Sequence, residues 1–226
     1  MSDSITGFSG AVFDCDGILV DSEAPWIDLM AGYLTSMSAS GLSPEDLRGL
    51  TSDEAVARLQ RIHEAPGSPG DVRPPTAGEV DRAYSAALEH VAAPMPGAPE
   101  LVASLSGTIP IAVASNGRGE DVRGLLERAG MLDFFDAIIT IDDVDQGKPA
   151  PDPYLLAARR LGLSASTVVA FEDSPVGSQA AHTAGCTVIG VNNDPSIELA
   201  GEVRLRHFAQ LRFDPRTRSL LIDTEH

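Results

Sequence analysis

The sequence predicts a doubly wound α/β fold, in which helices cover both faces of a parallel β-sheet, with a helical domain inserted after the first strand. Short runs that are apolar throughout are typical of strands buried on both faces. Stretches with helical periodicity separate these runs, which is the alternation that a parallel sheet requires. Residues 22–93 break the alternation, because they contain helical patterns only.

Five strands are predicted from their apolar and β-branched composition. They are Gly10–Asp14, Ile109–Ala114, Ala137–Thr140, Thr167–Phe171 and Thr187–Val191. The helices between them are predicted over Gly119–Ala129, Pro151–Leu161 and Pro175–Ala184. In such a Rossmann-like sheet, right-handed crossovers bring the carboxyl ends of all strands to one edge, where ligands bind. Polar side chains that directly follow the strands are therefore the candidate site.

The inserted segment is predicted to be a small α-helical cap domain. Its helices are predicted over Ala24–Thr35, Ser52–His63 and Glu79–Ala92, with a Pro- and Gly-rich loop from Ala65 to Pro75. Hinges are expected near residues 20–22 and 93–97. The predicted domains are thus the core, residues 1–21 and 94–226, and the cap, residues 22–93.

The bulk composition excludes several classes of protein. Asp and Glu number 33 against 16 Lys and Arg, and the formal net charge of −17 argues against nucleic acid or an anionic membrane as a partner. Two cysteines, Cys15 and Cys186, are too few for a disulfide scaffold. The sequence shows neither a signal-peptide pattern nor a long apolar run, so a cytoplasmic protein is expected. One core with one cap is compatible with a monomer.

Two carboxylates follow the first predicted strand. Asp14 and Asp16 are two residues apart in the segment Phe13–Ser22, which places a phosphoryl acceptor and a proton-transfer group at one edge of the sheet. In this interpretation Asp14 is the nucleophile, while Asp16 protonates the leaving oxygen and then activates water. The alternative is a strand-end turn with two solvated aspartates.

Polar groups follow the second and third strands as well. Ser115 and Asn116 offer a hydroxyl and backbone N–H groups that could bind an anion, helped by the dipole of the next helix. An ordinary turn and helix cap is the alternative. Lys148 is the only lysine in the chain, and its compact ammonium could neutralise Asp14 and the transferred oxygens. The alternative interpretation is that Lys148 is a surface lysine that has been retained by chance.

A second pair of carboxylates, Glu172 and Asp173, follows the fourth predicted strand. With Asp14 they could complete an oxygen-only Mg²⁺ site, although Asp173 could instead cap the helix that begins at Pro175. Each motif has an ordinary structural explanation by itself. Their joint placement at one edge favours a phosphoryl-transfer site, since that chemistry depends mostly on positioning and charge neutralisation.

Together the four motifs resemble those of the haloacid dehalogenase-like superfamily, in its phosphatase and β-phosphoglucomutase branch with a helical cap after the first motif. The resemblance spans residues 11–191. It implies a Mg²⁺-dependent hydrolase with Asp14 as the nucleophile and Asp16 as the acid and base. By the same resemblance, the phosphoryl group is bound by Ser115, Asn116 and Lys148, and Mg²⁺ by Asp14, the Asp16 carbonyl, Glu172 and Asp173.

The expected substrate is a small phosphorylated metabolite, such as a sugar phosphate, which side chains of the cap select. Trp26 and Thr51 are candidates for contacting it, together with Glu23 and Arg48, although a helical Trp is more often a core residue. A phosphomutase of the β-phosphoglucomutase type is the alternative activity. The lack of lysine in the cap, and Ser52 where that enzyme type has a basic residue, favour hydrolysis.

Three other functions agree less well with the sequence. A true haloacid dehalogenase lacks the second aspartate, and a phosphonate-cleaving relative needs a cap lysine, so Asp16 and the single Lys148 argue against both. A phospho-accepting signalling or binding module is the hypothesis from a different class. Signalling receivers have no helical cap, and Asp16 would shorten the lifetime of an aspartyl phosphate that a signal requires.

Overall fold

The computed structural model describes residues 4–48, 50–65, 72–90 and 93–223. The chain divides into two compact units, which we call the core unit (Met1–Asp21 with Ala92–His226) and the helical unit (Ser22–Val91). That the helical unit acts as a cap stays a prediction. Of the Pro- and Gly-rich loop predicted from Ala65 to Pro75, residues 66–71 lie outside the described residues.

The core unit contains a six-stranded parallel sheet. In chain order the strands of the protein are β1 (Ser4–Ile5), β2 (Gly10–Phe13), β3 (Ile111–Ala114), β4 (Ala137–Ile139), β5 (Val168–Glu172), β6 (Thr187–Val191), β7 (Val203–Leu205), β8 (Leu211–Asp214) and β9 (Ser219–Ile222). The parallel sheet has the order β4-β3-β2-β5-β6-β7. This confirms the predicted fold class, and it brings the carboxyl ends of β3, β2 and β5 side by side.

Seven α-helices are found among the described residues. The helical unit contains α1 (Glu23–Ser36), α2 (Ser52–His63) and α3 (Ala77–Leu88), and the core unit contains α4 (Ala98–Leu105), α5 (Gly119–Arg128), α6 (Asp152–Arg160) and α7 (Pro175–Ala184). All the predicted helices are present, with α2 and α7 at their predicted bounds. Helix α4, which begins directly after the predicted hinge at residues 93–97, was not predicted.

A second sheet in the core unit is antiparallel and has the order β1-β9-β8. Neither this sheet nor β7 was predicted from the sequence. Strands β1 and β7 have 2 and 3 residues, which is too short for periodicity to be visible. The β8–β9 hairpin does carry a signal, since buried Leu211 and Phe213 alternate with exposed Arg212.

Both faces of the parallel sheet are covered, because successive side chains of a strand point to opposite faces. On one face Val12 and Ala114 pack with Tyr154 of α6 in a buried cluster that also includes α7. On the other face the ring of Phe13 stacks on that of Phe171, with 4.6 Å between centroids. Burial on both faces explains why these strands are apolar throughout.

The helical unit has its own apolar core. Residues buried in that core include Trp26, Met30, Leu59 and Val80. Capping boxes fix the starts of two helices, with Thr51 at α2 and Thr76 at α3. Hydrogen bonds from Arg73 and Thr76 lower the pKa of Glu79, the other member of the α3 box, to about 2.

The two segments that leave and re-enter the core unit are hydrogen-bonded to each other. Val20 forms an antiparallel bridge with Pro94, and the N–H of Asp21 donates to the carbonyl of Ala93 at 3.2 Å. Both segments coincide with the predicted hinges. In the described part of the chain, no helix is both long and apolar enough to span a bilayer.

Candidate active site

The ammonium of Lys148 lies between two carboxylates. Its Nζ donates to Asp14 Oδ1 and to Glu172 Oε1, at 2.6 Å in each case. Asp14 directly follows β2, and Glu172 ends the neighbouring strand β5. All three side chains are buried, so their charges interact more strongly than they would in water.

Burial governs the protonation of this cluster. Removal from water raises the pKa of Asp14 to about 7, because the Lys148 ammonium offsets only part of that effect and the Glu172 and Asp16 carboxylates add to it. Burial acts to lower the pKa of Lys148, but the two adjoining carboxylates outweigh it and raise that pKa above its usual value. One ammonium thus balances several carboxyl groups, and a bound cation would relieve the excess negative charge.

Asp16 is hydrogen-bonded to Ser115, the residue that directly follows β3. Ser115 is fully buried, and its hydroxyl donates to Asp16 Oδ2 at 3.3 Å. The same hydroxyl oxygen accepts the N–H of Gly117 at 2.9 Å. Helix α5 begins later, with Arg118 as its N-cap, so Ser115 forms a turn but does not cap the helix. The hydroxyl therefore joins the loop after β2 to the loop after β3.

The side chain of Asn116 binds the main chain of Lys148 at two points. Its Oδ1 accepts the Lys148 N–H at 2.8 Å, and its Nδ2 donates to the Lys148 carbonyl at 3.1 Å. A Cβ atom on Gly147 would come within 2.6 Å of the Asn116 Oδ1, so glycine permits this close approach. From the sequence, Asn116 was expected to bind the phosphoryl group through its backbone, and its contact with the Lys148 main chain was not predicted.

Both oxygens of Glu172 accept hydrogen bonds. Oε1, which binds the lysine, also accepts the hydroxyl of Tyr154 at 2.7 Å. Oε2 accepts the N–H of Asp173 at 3.2 Å and the hydroxyl of Ser174 at 3.1 Å. The carboxylate lies against the first turn of α7, where a Cβ atom on Gly177 would overlap its oxygens. A helix N-terminus stabilises a negative charge placed there.

Three carboxylates at this edge could hold a metal ion. One oxygen each from Asp14, Glu172 and Asp173 lie within 4.8 Å of one another. Carboxylate oxygens suit hard divalent cations such as Mg²⁺, so the donor set fits the ion that the resemblance implies.

Helix α7 is capped by Ser174, which accepts the N–H of Gly177 at 3.1 Å. The alternative role for Asp173, as the cap of this helix, is therefore wrong.

Two further residues contact Asp173. Asn192 Nδ2 donates to its carbonyl at 2.9 Å. Gly17 lies so close to its side chain that a Cβ atom on Gly17 would overlap Oδ2. Gly17 also has φ of +71°, a conformation that glycine adopts readily. The loop after β2 and the loop after β5 are therefore packed directly against each other.

The four residues predicted to select the substrate lie in the helical unit. Trp26 is 7% exposed and its Nε1 donates to a backbone carbonyl of the same unit at 2.8 Å, so it is a core residue of that unit. The Thr51 hydroxyl caps α2, and Arg48 forms an ion pair with Glu23. That any of the four contacts the substrate stays a prediction.

Tyr154, Gly177 and Asn192 were not identified by the sequence analysis. Tyr154 was interpreted only as part of a helix, although it follows the single lysine closely at an apolar position of that helix. The close approach at Gly177 has no signal in the sequence, because it depends on how the first turn of α7 packs against the Glu172 side chain at the end of β5. Asn192 follows β6, and the rule that polar residues after strands face the site could have identified it.

This combination of sheet topology and strand-end groups is that of a known class of hydrolase. The chain belongs to the haloacid dehalogenase-like hydrolase family, which matches residues 11–191. It is similar to hexitol phosphatase A of Escherichia coli (strain K12), at 33% identity over 208 residues, covering 87% of this chain and 88% of that protein. Fructose-1-phosphate phosphatase YqaB of the same organism is 29% identical over 188 residues, covering 81% of this chain and 96% of that protein.

A solved structure gives the same result for the fold. The crystal structure of CbbY from Rhodobacter sphaeroides in complex with phosphate matches with a TM-score of 0.73 at 28% identity, over 90% of this chain and 96% of that chain. The predicted family, fold class and enzyme class are confirmed. The protein is an enzyme that hydrolyses phosphoric monoesters.

Replacing Gly17 by Ala is expected to reduce turnover at least about tenfold, because the new methyl group must displace the Asp173 carboxylate. Gly130 is a matched control, since its φ is +69° and the Cβ position has open space around it. Gly130→Ala should cost only about 1–2 kcal/mol of stability for a side chain at positive φ. Steady-state kinetics and thermal melting compare the two variants. Full activity in Gly17→Ala would show that turnover does not depend on the position of the Asp173 carboxylate.

Proposed function

We propose that the protein is a Mg²⁺-dependent phosphatase of a small phosphorylated metabolite, most simply a sugar phosphate, and that it forms an aspartyl phosphate on Asp14. The observation that carries the proposal is the ammonium of the only lysine, 2.6 Å from Asp14 Oδ1. A fixed cation there can orient the nucleophile and neutralise the transferred oxygens. The relatives named as fructose-1-phosphate and hexitol phosphatases support the substrate class.

In the first half-reaction a carboxylate oxygen of Asp14 attacks phosphorus. The bond between phosphorus and the substrate's alcohol oxygen breaks, and its electron pair leaves with that oxygen. Asp16 donates its proton to the leaving oxygen, so that a neutral alcohol departs. The hydroxyl of Ser115, 3.3 Å from Asp16 Oδ2, orients the carboxyl group for this transfer. Lys148 stabilises the negative charge on the transferred oxygens.

In the second half-reaction water attacks the phosphorus of the aspartyl phosphate. The bond to the Asp14 oxygen breaks, and Asp14 regains its carboxylate. Asp16, which the first step left ionised, accepts a proton from the attacking water and returns to its starting state. The products are the alcohol and inorganic phosphate, and the protein neither gains nor loses a proton over the cycle.

Mg²⁺ would be held by the side chains of Asp14 and Asp173 and by the backbone carbonyl of Asp16. When bound, it neutralises negative charge of the carboxylates and of the phosphoryl group. Glu172 is close enough to take part, but both of its oxygens already accept hydrogen bonds from the protein. We therefore assign it mainly to holding Lys148 and the turn that carries Asp173.

Hydrolysis is proposed in preference to a phosphomutase reaction. A mutase must bind a second phosphate, and the helical unit contains no lysine. Two of its arginines, Arg48 and Arg73, form ion pairs with Glu23 and Glu79 of the same unit. Incubation with β-glucose 1-phosphate separates the two reactions. Inorganic phosphate is the expected product, and glucose 6-phosphate without free phosphate would favour the mutase.

Removal of metal is expected to lower phosphate release from p-nitrophenyl phosphate and sugar phosphates at least about a hundredfold. The reason is that one ammonium cannot neutralise several carboxylates and a phosphoryl group together. The measurement is inorganic phosphate released with Mg²⁺, with EDTA, and with EDTA followed by excess Mg²⁺. Ca²⁺ is the control, since its larger coordination sphere should support binding without turnover. Full activity in protein shown by elemental analysis to be metal-free would refute the metal dependence.

A further inference from the structure

We propose that Tyr154 is a positioning residue of this active site, which acts through Glu172 to set the place of the Lys148 ammonium. Tyr154 lies near the start of α6, on the side of the helix that faces the sheet. Its proposed effect on turnover rests on the phosphatase function proposed above. Its proposed effect on the lysine does not, because that effect is a property of the free protein.

Tyr154 contacts both members of an ion pair. Its hydroxyl donates to Glu172 Oε1 at 2.7 Å, and the same oxygen accepts the Lys148 Nζ at 2.6 Å. The Nζ also lies 5.2 Å from the centroid of the Tyr154 ring, which is within the range of a cation–π contact. Tyr154 is fully buried, so its hydroxyl cannot turn to solvent.

Packing alone does not require the hydroxyl group. Tyr154 belongs to an apolar cluster of valine, alanine and isoleucine side chains, where phenylalanine would fill nearly the same space. A hydroxyl in such surroundings is unfavourable unless it forms a hydrogen bond. The bond to Glu172 meets that requirement, and it gives the carboxylate oxygen a second donor beside the ammonium.

The position of the ammonium depends on a balance between two carboxylates. Asp14 and Glu172 each accept the Lys148 Nζ at 2.6 Å. The Tyr154 hydroxyl takes up part of the negative charge on Glu172 Oε1. Without the hydroxyl, that oxygen would attract the ammonium more strongly, and the ammonium would move away from Asp14. Charge stabilisation at the reacting phosphorus would then weaken more than substrate binding does.

The rest of the Glu172 carboxylate is held independently of Tyr154. Oε2 accepts hydrogen bonds from the Asp173 N–H and the Ser174 hydroxyl, and the backbone at Gly177 packs against both oxygens. Tyr154→Phe should therefore leave the Glu172 carboxylate in place and remove only the hydrogen bond that Oε1 accepts from the Tyr154 hydroxyl. For the same reason the variant is expected to fold.

The single lysine allows a direct test. In protein labelled with [¹⁵N]lysine, Lys148 gives the only side-chain Nζ signal. We expect Tyr154→Phe to shift that signal, because the ammonium moves away from Asp14 towards Glu172. Tyr33→Phe, in the helical unit, is the matched control and should leave the signal unchanged. This measurement needs no turnover, so failure of the proposed function would not affect it.

Kinetics provide the second test. Tyr154→Phe should lower kcat about tenfold while KM stays within about twofold, since the lost effect concerns the transition state. The double variant Tyr154→Phe/Glu172→Gln should be no slower than Glu172→Gln alone, because Tyr154 acts through Glu172. An unshifted Nζ signal in Tyr154→Phe, or additive losses in the double variant, would overturn the proposal. If Tyr154→Phe does not fold, an unshifted signal in Glu172→Gln would overturn it equally.

Discussion

The Asp14→Asn variant is expected to lose phosphate release by at least about 10⁴-fold, because the amide oxygen is a poor nucleophile and no aspartyl phosphate can form. The same change is expected to make the metal-free protein more stable at neutral and higher pH. The two effects have one origin. The carboxylate that the reaction needs is buried beside two other carboxyl groups, Glu172 and Asp16, which raise its free energy when it is ionised.

The stability gain follows from the pKa of Asp14. Burial raises this pKa from 3.8 to about 7, so ionisation of the folded protein is unfavourable relative to the unfolded chain at pH above about 4. The resulting loss of stability grows between these two pKa values and is complete above pH 7. One pKa unit corresponds to about 1.4 kcal/mol, so the loss is on the order of 4 kcal/mol at pH 8. The asparagine of the Asp14→Asn variant carries no charge, so the variant does not suffer this loss of stability.

Thermal melting of the metal-free proteins from pH 4 to pH 8 measures this effect. At pH 8 the Tm of Asp14→Asn should exceed that of the unmodified protein by about 8–16 °C, and the difference should vanish towards pH 4. Asp133→Asn, at an exposed position, is the control and should change neither activity nor Tm. A lower Tm for Asp14→Asn at pH 8 would show that the Lys148 pairing outweighs the burial of the charge.

The second large effect is expected for Lys148→Met. Without the ammonium, Asp14 and Glu172 remain as buried carboxylates with no cation between them. We expect kcat to fall about 10³-fold and the free energy of unfolding at pH 8 to fall by about 3–5 kcal/mol. The loss of stability should be smaller at pH 5, where Asp14 is protonated. Turnover assays and denaturant titrations at the two pH values check this.

Two further variants separate charge from position. Lys148→Arg keeps the positive charge, but a planar guanidinium cannot occupy the place of a compact ammonium bound to two oxygens. It should recover much of the stability and little of the activity. Lys148→Met/Asp14→Asn should recover stability and no activity. If Lys148→Arg retained nearly full kcat, the compact ammonium would not be required as proposed here.

The positions of the strand-end groups could be predicted, because right-handed crossovers in a parallel sheet bring the carboxyl ends of all strands to one edge. Asp14, Ser115 and Glu172 each end or directly follow a strand, and the structure brings them to neighbouring strand ends. Lys148 lies in a loop between β4 and α6, and it could be found only because no other lysine occurs.

The residues that act across elements could not be predicted in this way. Periodicity shows that Tyr154 and Gly177 lie on buried faces of their helices, but not which partner each face meets. The contact of Asn116 with the Lys148 main chain likewise depends on how two loops approach each other. Strand β7 was missed because its three residues include an arginine and so form no apolar run of the kind that predicted β4. Roles for Trp26 and the other residues of the helical unit stay predictions.

The central claim is that Asp14 accepts the phosphoryl group. It is tested most directly by acid-quenching Asp16→Asn protein during turnover of p-nitrophenyl phosphate and analysing its peptides by mass spectrometry. Because p-nitrophenolate leaves without being protonated, Asp16→Asn should still form the aspartyl phosphate, but it should hydrolyse it slowly, since no base activates water. The account predicts one added phosphoryl group on the peptide that contains Asp14, and none in Asp14→Asn/Asp16→Asn. An unmodified Asp14 peptide during continuing phosphate release, or a phosphoryl group on another residue, would contradict it.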